Sequence, residues 1–440
     1  MPDFATSTDP AVQRQLDLLS LLGPGADILG LDRITRLLDR VGNPNRHLPP
    51  VFHVAGTNGK GSTCAYLRAG LEAAGHRVHV YTSPHLVRFN ERIRVAGQLI
   101  GDAALAPLLA EVLDAGSDIG ASFFEVTTAV AFLAFARTSA DACVIEVGLG
   151  GRLDATNVID HPAVCGIAQL GLDHQAFLGD TIEAIAAEKA GIAKPGVPLV
   201  TFDYPPAIRD VVAAAAHTRR ASVLRAGADW HWAITDGRLA YRDVGGVLRL
   251  DLPVLAGSHQ AANCALATAM LRHQRALHIP DAAIAAMPSG ARWPARMQRL
   301  SDGPLTRRLP AGSTLWLDGG HNPAAAQAVR DALAGVAESR PIAIVLGMLA
   351  NKDPDGLLAP FAAMTDRLVA VPVPGHAHHV PDALAALGKT LGIGVTDTAA
   401  DVPDALDAIA SATRSPVTVL VLGSLYLAGR VLAANEELPD

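Results

Sequence analysis

A glycine-rich segment between a strand-like run and a helical run constrains the fold of this chain more than any other feature. Residues 51–55 read VFHVA, a short apolar run typical of a buried strand. Residues 56–59, GTNG, separate this run from a helix that we predict from about Lys60 to Ala74. Backbone N–H groups in such a loop and the positive end of the following helix together form a binding site for phosphate groups.

The first residues of this helix add side chains suited to phosphate. Lys60 supplies a point charge for the outer phosphates, and the hydroxyl groups of Ser62 and Thr63 lie nearby in sequence. The spacing differs from the Walker A motif, because Val54 stands where that motif has its first glycine and Gly61 separates the lysine from the serine. An ordinary tight turn would not need three glycines interleaved with Thr, Asn and Lys, so we favour phosphate binding.

The rest of the chain alternates short β-branched runs with Ala/Leu-rich helical runs. This alternation predicts an α/β fold with a parallel sheet and helices on both faces. Between residues 222 and 252 the pattern changes to that of β-hairpins, with Asp236 and Gly237 as a turn signal. The strand-like runs of the two α/β series are 77–82, 142–147, 163–168 and 197–202, then 314–318, 341–347, 366–371 and 417–423.

A Pro/Gly/Arg-rich stretch, MPSGARWPARM, separates the two series. We therefore place a domain boundary near residue 294 and predict domains at 1–294 and 295–440.

Composition excludes several classes of protein. The formal charge of -7 gives no reason to expect a nucleic-acid partner. The N-terminus lacks a basic start and a sustained apolar run, and later apolar stretches are interrupted by Gly, Pro or charge, which argues against a signal peptide and a membrane span. The four cysteines show no Cys-x-x-Cys spacing and suit reduced core thiols. We expect a soluble cytoplasmic protein without a membrane or nucleic-acid partner.

The loop AGTNGKGST resembles the variant phosphate loop of the Mur ligase superfamily, and within it the folylpolyglutamate synthase family. The resemblance implies a P-loop-containing Mur-ligase-like central domain with a parallel sheet, plus a smaller Rossmann-like C-terminal domain. Similar blocks follow in order along nearly the whole chain: LGLDRI at 29–34, TSPHLVRFNERI at 82–93, SFFEVTTA at 122–129, EVGLGGRLDATN at 146–157, the segment 172–196, GSHQAAN at 257–263, WPARMQ at 293–298 and DGGHNPAA at 318–325.

This resemblance implies a bifunctional, monomeric ligase whose small-molecule substrates are ATP, dihydropteroate or a folate, and L-glutamate. ATP would phosphorylate a substrate carboxylate in a cleft between the two domains, and the amine of L-glutamate would then attack the acyl phosphate. Two alternatives stay open. A Mur-type ligase acting on a UDP-linked cell-wall precursor would share the loop, although such enzymes usually have a further N-terminal domain. A P-loop ATPase or GTPase switch is disfavoured by the altered spacing of the loop.

The resemblance also implies the nucleotide-binding residues. Asn263 would contact the base, Arg296 a phosphate and Asp318 the ribose. Arg296 also makes chemical sense by itself, because a guanidinium can stabilise charge on a transferring phosphoryl group. The phosphate loop would contribute Thr57, Asn58, Gly59, Lys60, Gly61 and Ser62.

A magnesium site is implied at Ser83, Glu146 and His174. Glu146 ends an apolar strand before a glycine-rich turn, where ligands gather in parallel sheets, although an acid there can also cap the next element. From the residues alone, a structural role suits His174 better, because magnesium prefers oxygen ligands.

Lys189 lies in an apolar Ala/Ile helix, and the residues alone favour a lysine that extends to the surface. The resemblance instead implies a carbamylated lysine (N6-carboxylysine) near the metal. Apolar surroundings would lower the pKa of Lys189, and only the uncharged amine takes up carbon dioxide. Lys194 is the competing candidate, but it follows the motif.

For the pterin substrate the resemblance implies a mobile loop and an aromatic wall, in which Phe124 could stack on the pterin ring. His321 and Ser424 are further candidates at the cleft. We set aside His376, His378 and His379 as a metal site, because they lie between prolines in a probable loop without a matching acid. The implied pterin-binding residues are Asp27, Ile28, Leu29, Gly30, Ser122, Phe123, Phe124, Glu125, Leu153, Asp154 and Ala155.

Overall fold

The computed structural model describes residues 5–22, 29–337 and 340–440, and the chain divides into two compact units. The first unit is Met1–Val254 with Gln260–Arg292, and the second is Leu255–His259 with Trp293–Asp440. Residues 255–259 thus belong to the second unit, although they lie within the predicted first domain, 1–294. Among the described helices, none combines the length and the hydropathy that crossing a bilayer requires.

The first unit contains most of the chain's helices and two separate sheets. Its strands are β1 Val51–Ala55, β2 Val78–Tyr81, β3 Ile93–Val95, β4 Gln98–Leu99, β5 Ala142–Glu146, β6 Val164–Ile167, β7 Pro198–Thr201, β8 Ser222–Arg225, β9 Trp230–Thr235, β10 Arg238–Asp243 and β11 Gly246–Leu250. Its helices are α1 Pro10–Leu21, α2 Asp32–Arg40, α3 Lys60–Ala73, α4 Asp102–Ala115, α5 Phe123–Ala136, α6 Gln175–Leu178, α7 Ile182–Ala190, α8 Pro206–Thr218, α9 Ser258–His273 and α10 Asp281–Gly290.

The large sheet has the order β4-β3-β2-β5-β1-β6-β7-β8 in the described chain. Its six adjacent strands β2, β5, β1, β6, β7 and β8 are parallel. Strand β1 is buried along its whole length between β5 and β6. Its register pairs Val54 with Glu146 and Ala55 with Ile167. The turns that follow these three strands therefore emerge side by side at one edge of the sheet, which is where ligands bind in parallel α/β folds.

Local sequence signals explain the helix next to this edge. Helix α5 begins with a capping box, in which the Ser122 backbone N–H donates to Glu125 Oε2 at 2.7 Å and the Glu125 N–H donates to Ser122 Oγ at 3.3 Å. The helix is buried from Glu125 to Phe135, as expected of one that is apolar on every side.

The three-stranded sheet is antiparallel and has the order β11-β10-β9. Asp236 and Gly237, with φ of 53° and 69°, form the tight turn between β9 and β10 that the sequence predicted. Arg272 of α9 donates through Nε and Nη2 to the carboxylate of Asp243 at 2.7 and 2.8 Å, which ties this sheet to the helix.

The second unit is a smaller α/β layer structure. Its sheet has the order β12-β13-β17-β14-β15-β16 and is parallel except for β12. The predicted α/β class with parallel sheets is confirmed. Its elements are β12 Gln298–Arg299, β13 Thr314–Leu317, α11 Pro323–Val336, β14 Ile342–Leu346, α12 Pro354–Leu358, β15 Arg367–Ala370, α13 Pro381–Thr390, β16 Val395–Thr398, α14 Val402–Ala412, β17 Thr418–Leu422 and α15 Leu425–Ala434.

Candidate active site

The glycine-rich loop between β1 and α3 adopts a backbone that only glycine accommodates easily. Gly56 has a φ of 150° and Gly59 a φ of 83°, both in the region that L residues rarely enter. A Cβ on Gly59 would lie 2.4 Å from Oδ1 of Asn263. The loop thus approaches Asn263, a predicted nucleotide-binding residue, as closely as a bare backbone allows.

The first half of the loop is held by the segment that follows β6. The N–H groups of Thr57 and Asn58 donate to the carbonyl of Gln169 at 2.8 and 3.2 Å. The Thr57 hydroxyl also donates to the Gly171 carbonyl at 3.0 Å and accepts from the Gly171 N–H at 3.1 Å. Thr57, a predicted phosphate ligand, therefore has a clear structural role in this conformation.

Two lysines meet at one carbonyl oxygen of this loop. Lys60 Nζ donates to the Gly56 carbonyl at 3.1 Å and to that of Thr57 at 3.3 Å. Lys189 Nζ donates to the same Gly56 carbonyl at 3.0 Å. Two amines on a single carbonyl place positive charge where the loop is expected to receive phosphate.

Lys189 is 4% exposed, so the surface lysine favoured by the residues alone is wrong. Burial is the main cause that lowers the pKa of Lys189 to about 7, and the charge of Lys60 adds to it, while Asp173 and Asp154 oppose it. Lys189 does not reach the surface because another segment packs on the turn of α7 that carries it.

That covering segment is the turn at residues 148–157. A Cβ on Gly151 would lie 2.8 Å from the carbonyl oxygen of Glu188 and 2.9 Å from that of Lys189. The Arg152 N–H donates to the Glu188 carbonyl at 2.7 Å. The backbone of the turn therefore presses directly on the turn of α7 that carries Lys189.

Two of the three predicted magnesium ligands are in contact. The backbone N–H of Ser83 donates to Oε2 of Glu146 at 3.2 Å, and Glu146 is 4% exposed. Glu146 does not cap the next helical turn, because Asp154 does so by accepting from the Thr156 N–H at 3.0 Å. No group of three His, Cys, Asp or Glu side chains suited to a metal occurs in the described parts of the chain, so a site here would use the Ser83 hydroxyl together with water or phosphate oxygens.

The third predicted ligand, His174, precedes α6 with a φ of 53°, an uncommon value for a residue with a side chain. Its Nε2 lies 3.9 Å from Oδ2 of Asp173. Sequence reasoning missed Asp173, which acts on the pKa of Lys189. The signal available in the sequence was that Asp173 is a carboxylate directly before His174.

Phe123 and Phe124, which are predicted to form the aromatic wall of the pterin site, lie at the start of α5. The rings of Phe123 and Phe124 are half-buried, and Phe123 packs edge-on against Phe89. Glu125 is 4% exposed and pairs through Oε2 with Arg33 Nε at 3.0 Å, while its Oε1 has no hydrogen-bond partner among the residues the structure describes. A buried acceptor beside half-buried rings suits an aromatic ligand that carries N–H donors.

The remaining predicted pterin-binding residues lie in two segments. Asp27 and Ile28 fall outside the described residues, whereas Leu29 and Gly30 are described and half-buried. Asp154 is 3% exposed and accepts from the Leu149 N–H at 2.8 Å and the Thr156 hydroxyl at 2.5 Å. Burial raises the pKa of Asp154. Its oxygens therefore hold together the turn from Leu149 to Thr156, which contains Leu153 and Ala155, the two residues predicted together with it.

Comparison with known proteins agrees with this arrangement. The chain is 35% identical over 405 residues to the dihydrofolate synthase/folylpolyglutamate synthase of Escherichia coli strain K12, covering 92% of this chain and 90% of the relative. It is 36% identical over 431 residues to the folylpolyglutamate synthase of Lacticaseibacillus casei, covering 91% and 92%. The sequence profile of the Mur ligase glutamate ligase domain matches residues 296–425.

The chain belongs to the folylpolyglutamate synthase family.

Solved structures of this family share its fold. Escherichia coli FolC in complex with DHPP and ADP has a TM-score of 0.85 and 34% identity, covering 97% of each chain. A bifunctional folylpolyglutamate synthase/dihydrofolate synthase with Mn, AMPPNP and L-glutamate bound has a TM-score of 0.84 and 33% identity, covering 97% of this chain and 99% of that one. The predicted Mur-ligase-like architecture is therefore confirmed.

In the second unit, the predicted ribose ligand Asp318 is 3% exposed, and both of its carboxylate oxygens accept hydrogen bonds. Its Oδ2 accepts from the Met297 N–H at 2.7 Å, and its Oδ1 accepts from the Gly320 N–H at 2.7 Å. Arg296 Nη1 donates to the Ala295 carbonyl at 2.9 Å. The segment that carries Arg296 therefore lies against the end of β13, where Asp318 is located.

The other two candidates of the second unit also lie at strand ends. A ring nitrogen of His321, Nδ1, lies 2.9 Å from the Gly319 carbonyl oxygen. Helix α11 begins at Pro323, with Asn322 as its cap. Ser424 caps α15. The histidines set aside as a metal site bond instead to backbone, His378 to the His376 carbonyl and His379 to the Lys352 carbonyl.

Proposed function

We propose that this chain is an ATP-dependent carboxylate–amine ligase that adds L-glutamate to dihydropteroate and to the glutamate tail of tetrahydrofolates through an acyl-phosphate intermediate. Relatives that match it over 90% or more of both lengths include proteins named dihydrofolate synthase/folylpolyglutamate synthase. A structural neighbour was solved with DHPP and ADP, and another with Mn, AMPPNP and L-glutamate. These names favour the folate reaction over the alternative on a UDP-linked cell-wall precursor.

The observation that carries the proposal is the meeting of Lys60 and Lys189 at the Gly56 carbonyl. The two amines repel each other in the absence of an anion, and one carbonyl dipole does not offset two charges. A triphosphate group would supply the missing negative charge at the open end of the glycine-rich loop and the start of α3. The residues present therefore fit the phosphates of ATP.

Ser83 and Glu146 fit a divalent cation, because both carry oxygen donors and the hydrogen bond from the Ser83 N–H to the buried Glu146 carboxylate holds the two residues side by side. We propose that these two residues and His174 would hold magnesium. When bound, the cation would neutralise charge on the phosphates of ATP. Lys60 would share that role by donating to the outer phosphates, so the contribution of the protein is mainly charge stabilisation and alignment.

We also propose that Lys189 is carbamylated in the active protein. Its depressed pKa makes a large fraction of the side chain an uncharged amine near neutral pH, which is the form that reacts with carbon dioxide. Carbamylation would replace the amine of Lys189 by an anion that attracts Lys60 instead of repelling it, and Lys60, the loop N–H groups and the start of α3 would then receive the phosphates. The four cysteines are buried, and the reaction needs no nucleophilic side chain.

The proposal predicts ADP release that depends on three substrates together. Purified protein with ATP and magnesium is expected to release ADP only when both dihydropteroate and L-glutamate are added, and again with tetrahydrofolate in place of dihydropteroate. The reaction with a UDP-linked cell-wall precursor serves as the comparison. ADP release with that precursor and none with either folate substrate would contradict the proposal. The predicted monomeric state and cytoplasmic location stay predictions, and light scattering would test the first.

A further inference from the structure

The ring of Phe124 stands directly over the bare Cα of Gly148. A Cβ placed on Gly148 would lie 2.3 Å from Cζ of Phe124 and 2.8 Å from each of its Cε atoms. Carbon atoms pack at roughly 3.5–4.0 Å, so no side chain fits at this position while the ring stays where it is.

The backbone does not explain this glycine. Gly148 is not among the residues with positive φ, in contrast to Gly150 two positions later with a φ of 69°. An L residue could therefore adopt the backbone conformation of Gly148 without strain. The ring of Phe124 is the contact that excludes a side chain there.

Buried groups also lie close to the ring. Tyr81 is fully buried, and its ring centroid lies 6.0 Å from that of Phe124. The Tyr81 hydroxyl lies 3.1 Å from Oγ1 of Thr128, and that threonine donates to the Phe124 carbonyl at 2.8 Å. The capping box of Ser122 and Glu125 fixes the backbone on both sides of Phe124. A ring pushed from Gly148 can therefore move only towards its exposed side.

We propose that Gly148 is a positioning residue that sets the height of the Phe124 ring and so the affinity for the pterin ring of the substrate. The inference rests on the proposed function, in which Phe124 stacks on the pterin. Gly148 lies two residues after Glu146, which is the last residue of β5. The same turn therefore positions the aromatic ring and follows the predicted metal ligand.

Gly148→Ala tests this role. The added methyl group would displace the ring into the space that the substrate occupies, so we expect KM for dihydropteroate to rise by roughly tenfold. The KM for ATP and kcat should stay within about twofold, because neither depends on the ring. A fall in kcat or a rise in KM for ATP with unchanged KM for dihydropteroate would place the effect at Glu146 and overturn the inference.

A second substitution separates ring displacement from a backbone effect. Phe124→Leu removes the ring atoms that the methyl group would meet and should itself weaken dihydropteroate binding. In that background, Gly148→Ala should change KM for dihydropteroate by less than about twofold, so the two effects are not additive. An equal rise in KM in both backgrounds would show that Gly148 acts through the backbone and would overturn the inference.

Gly101→Ala is the matched control. Gly101 belongs to the same unit, has a φ of -76° and has no atom within 4 Å of a Cβ placed on it. We expect wild-type kinetics from this variant. If the wild-type protein with dihydropteroate released no ADP in response to L-glutamate, the proposed function itself would be wrong. If the wild type were active and Gly148→Ala left KM for dihydropteroate unchanged, only this inference would be wrong.

Discussion

Two strand ends in this protein carry predicted nucleotide-binding residues, but they balance their charges in opposite ways. At the end of β1 in the first unit, the amines of Lys60 and Lys189 share the Gly56 carbonyl. Burial and mutual repulsion lower the pKa of Lys189 to about 7. This region stays electrostatically incomplete until an anion binds or a cation is neutralised.

At the end of β13 in the second unit, one buried carboxylate is fully compensated. Asp318 accepts from the N–H groups of Met297 and Gly320, both at 2.7 Å. Residues predicted to bind the nucleotide can therefore stand in two electrostatic situations. The lysines at the end of β1 lack a compensating anion and would gain from a bound phosphate, whereas the Asp318 carboxylate already has its hydrogen bonds and supports the surrounding backbone.

The largest expected effect comes from Lys60→Ala. Loss of the phosphate-binding charge should lower kcat/KM by roughly a thousandfold. The free energy of unfolding should stay the same or rise by up to about 1 kcal/mol, because repulsion with Lys189 is relieved. Turnover and chemical denaturation measure the two quantities, with Lys389→Ala on the exposed surface of α13 as the control. Near-normal turnover would remove the loop lysine from the mechanism.

Lys189→Ala should also be nearly inactive, by roughly a hundredfold or more, if the carbamate is needed. Short-chain carboxylic acids added to this variant should restore part of the activity, because they can occupy the vacated space as anions. In the wild-type protein, ¹³C-labelled carbon dioxide should yield a carbamate signal in NMR that increases as pH rises through about 7, since the neutral amine is then more abundant. Normal turnover of the alanine variant, or the lack of that signal, would contradict the carbamate.

Asp318→Ala tests the contrast between the two strand ends by a change in the second unit. It leaves the Met297 and Gly320 N–H groups without their acceptor, so we expect a loss of about 2–4 kcal/mol in the free energy of unfolding along with reduced activity. Lys60→Ala, in comparison, should lose activity without losing stability. An Asp318→Ala variant of wild-type stability would show that the two strand ends do not differ in this way.

The smallest effect concerns His53, which is fully buried in β1 with Nε2 2.9 Å from Oγ1 of Thr156. Burial, aided by the charge of Lys194, lowers its pKa from 6.5 to about 3. The unfolded chain therefore binds a proton between these values that the folded chain does not, so stability falls as pH falls through this window. Between pH 7 and pH 5 the loss from this residue is about 2 kcal/mol.

His53→Gln keeps a hydrogen-bonding group near Thr156 but does not titrate. Urea unfolding at pH 7 and pH 5 should therefore show a smaller acid-induced loss of stability in the variant than in the wild type. Identical losses in both proteins would indicate that His53 is not the responsible group.

Features of the fold that depend on only a few neighbouring residues could be predicted from the sequence. The strand, glycine-rich loop and helix at 51–73 and the turn at Asp236 and Gly237 depend on backbone preferences and neighbouring hydrogen bonds. These features determined the α/β class and the location of the phosphate loop.

Only the tertiary structure decided how the side chains of that site are buried. Lys189 and Gly56 are 133 positions apart, and the lysine reads as a surface residue until the turn at 148–157 covers its helix. The contact of Gly148 with Phe124 and the influence of Asp173 on Lys189 span shorter distances in sequence, but they also join residues of different elements. Burial and charge depend on every segment that packs around a group, and local patterns carry no information about those partners.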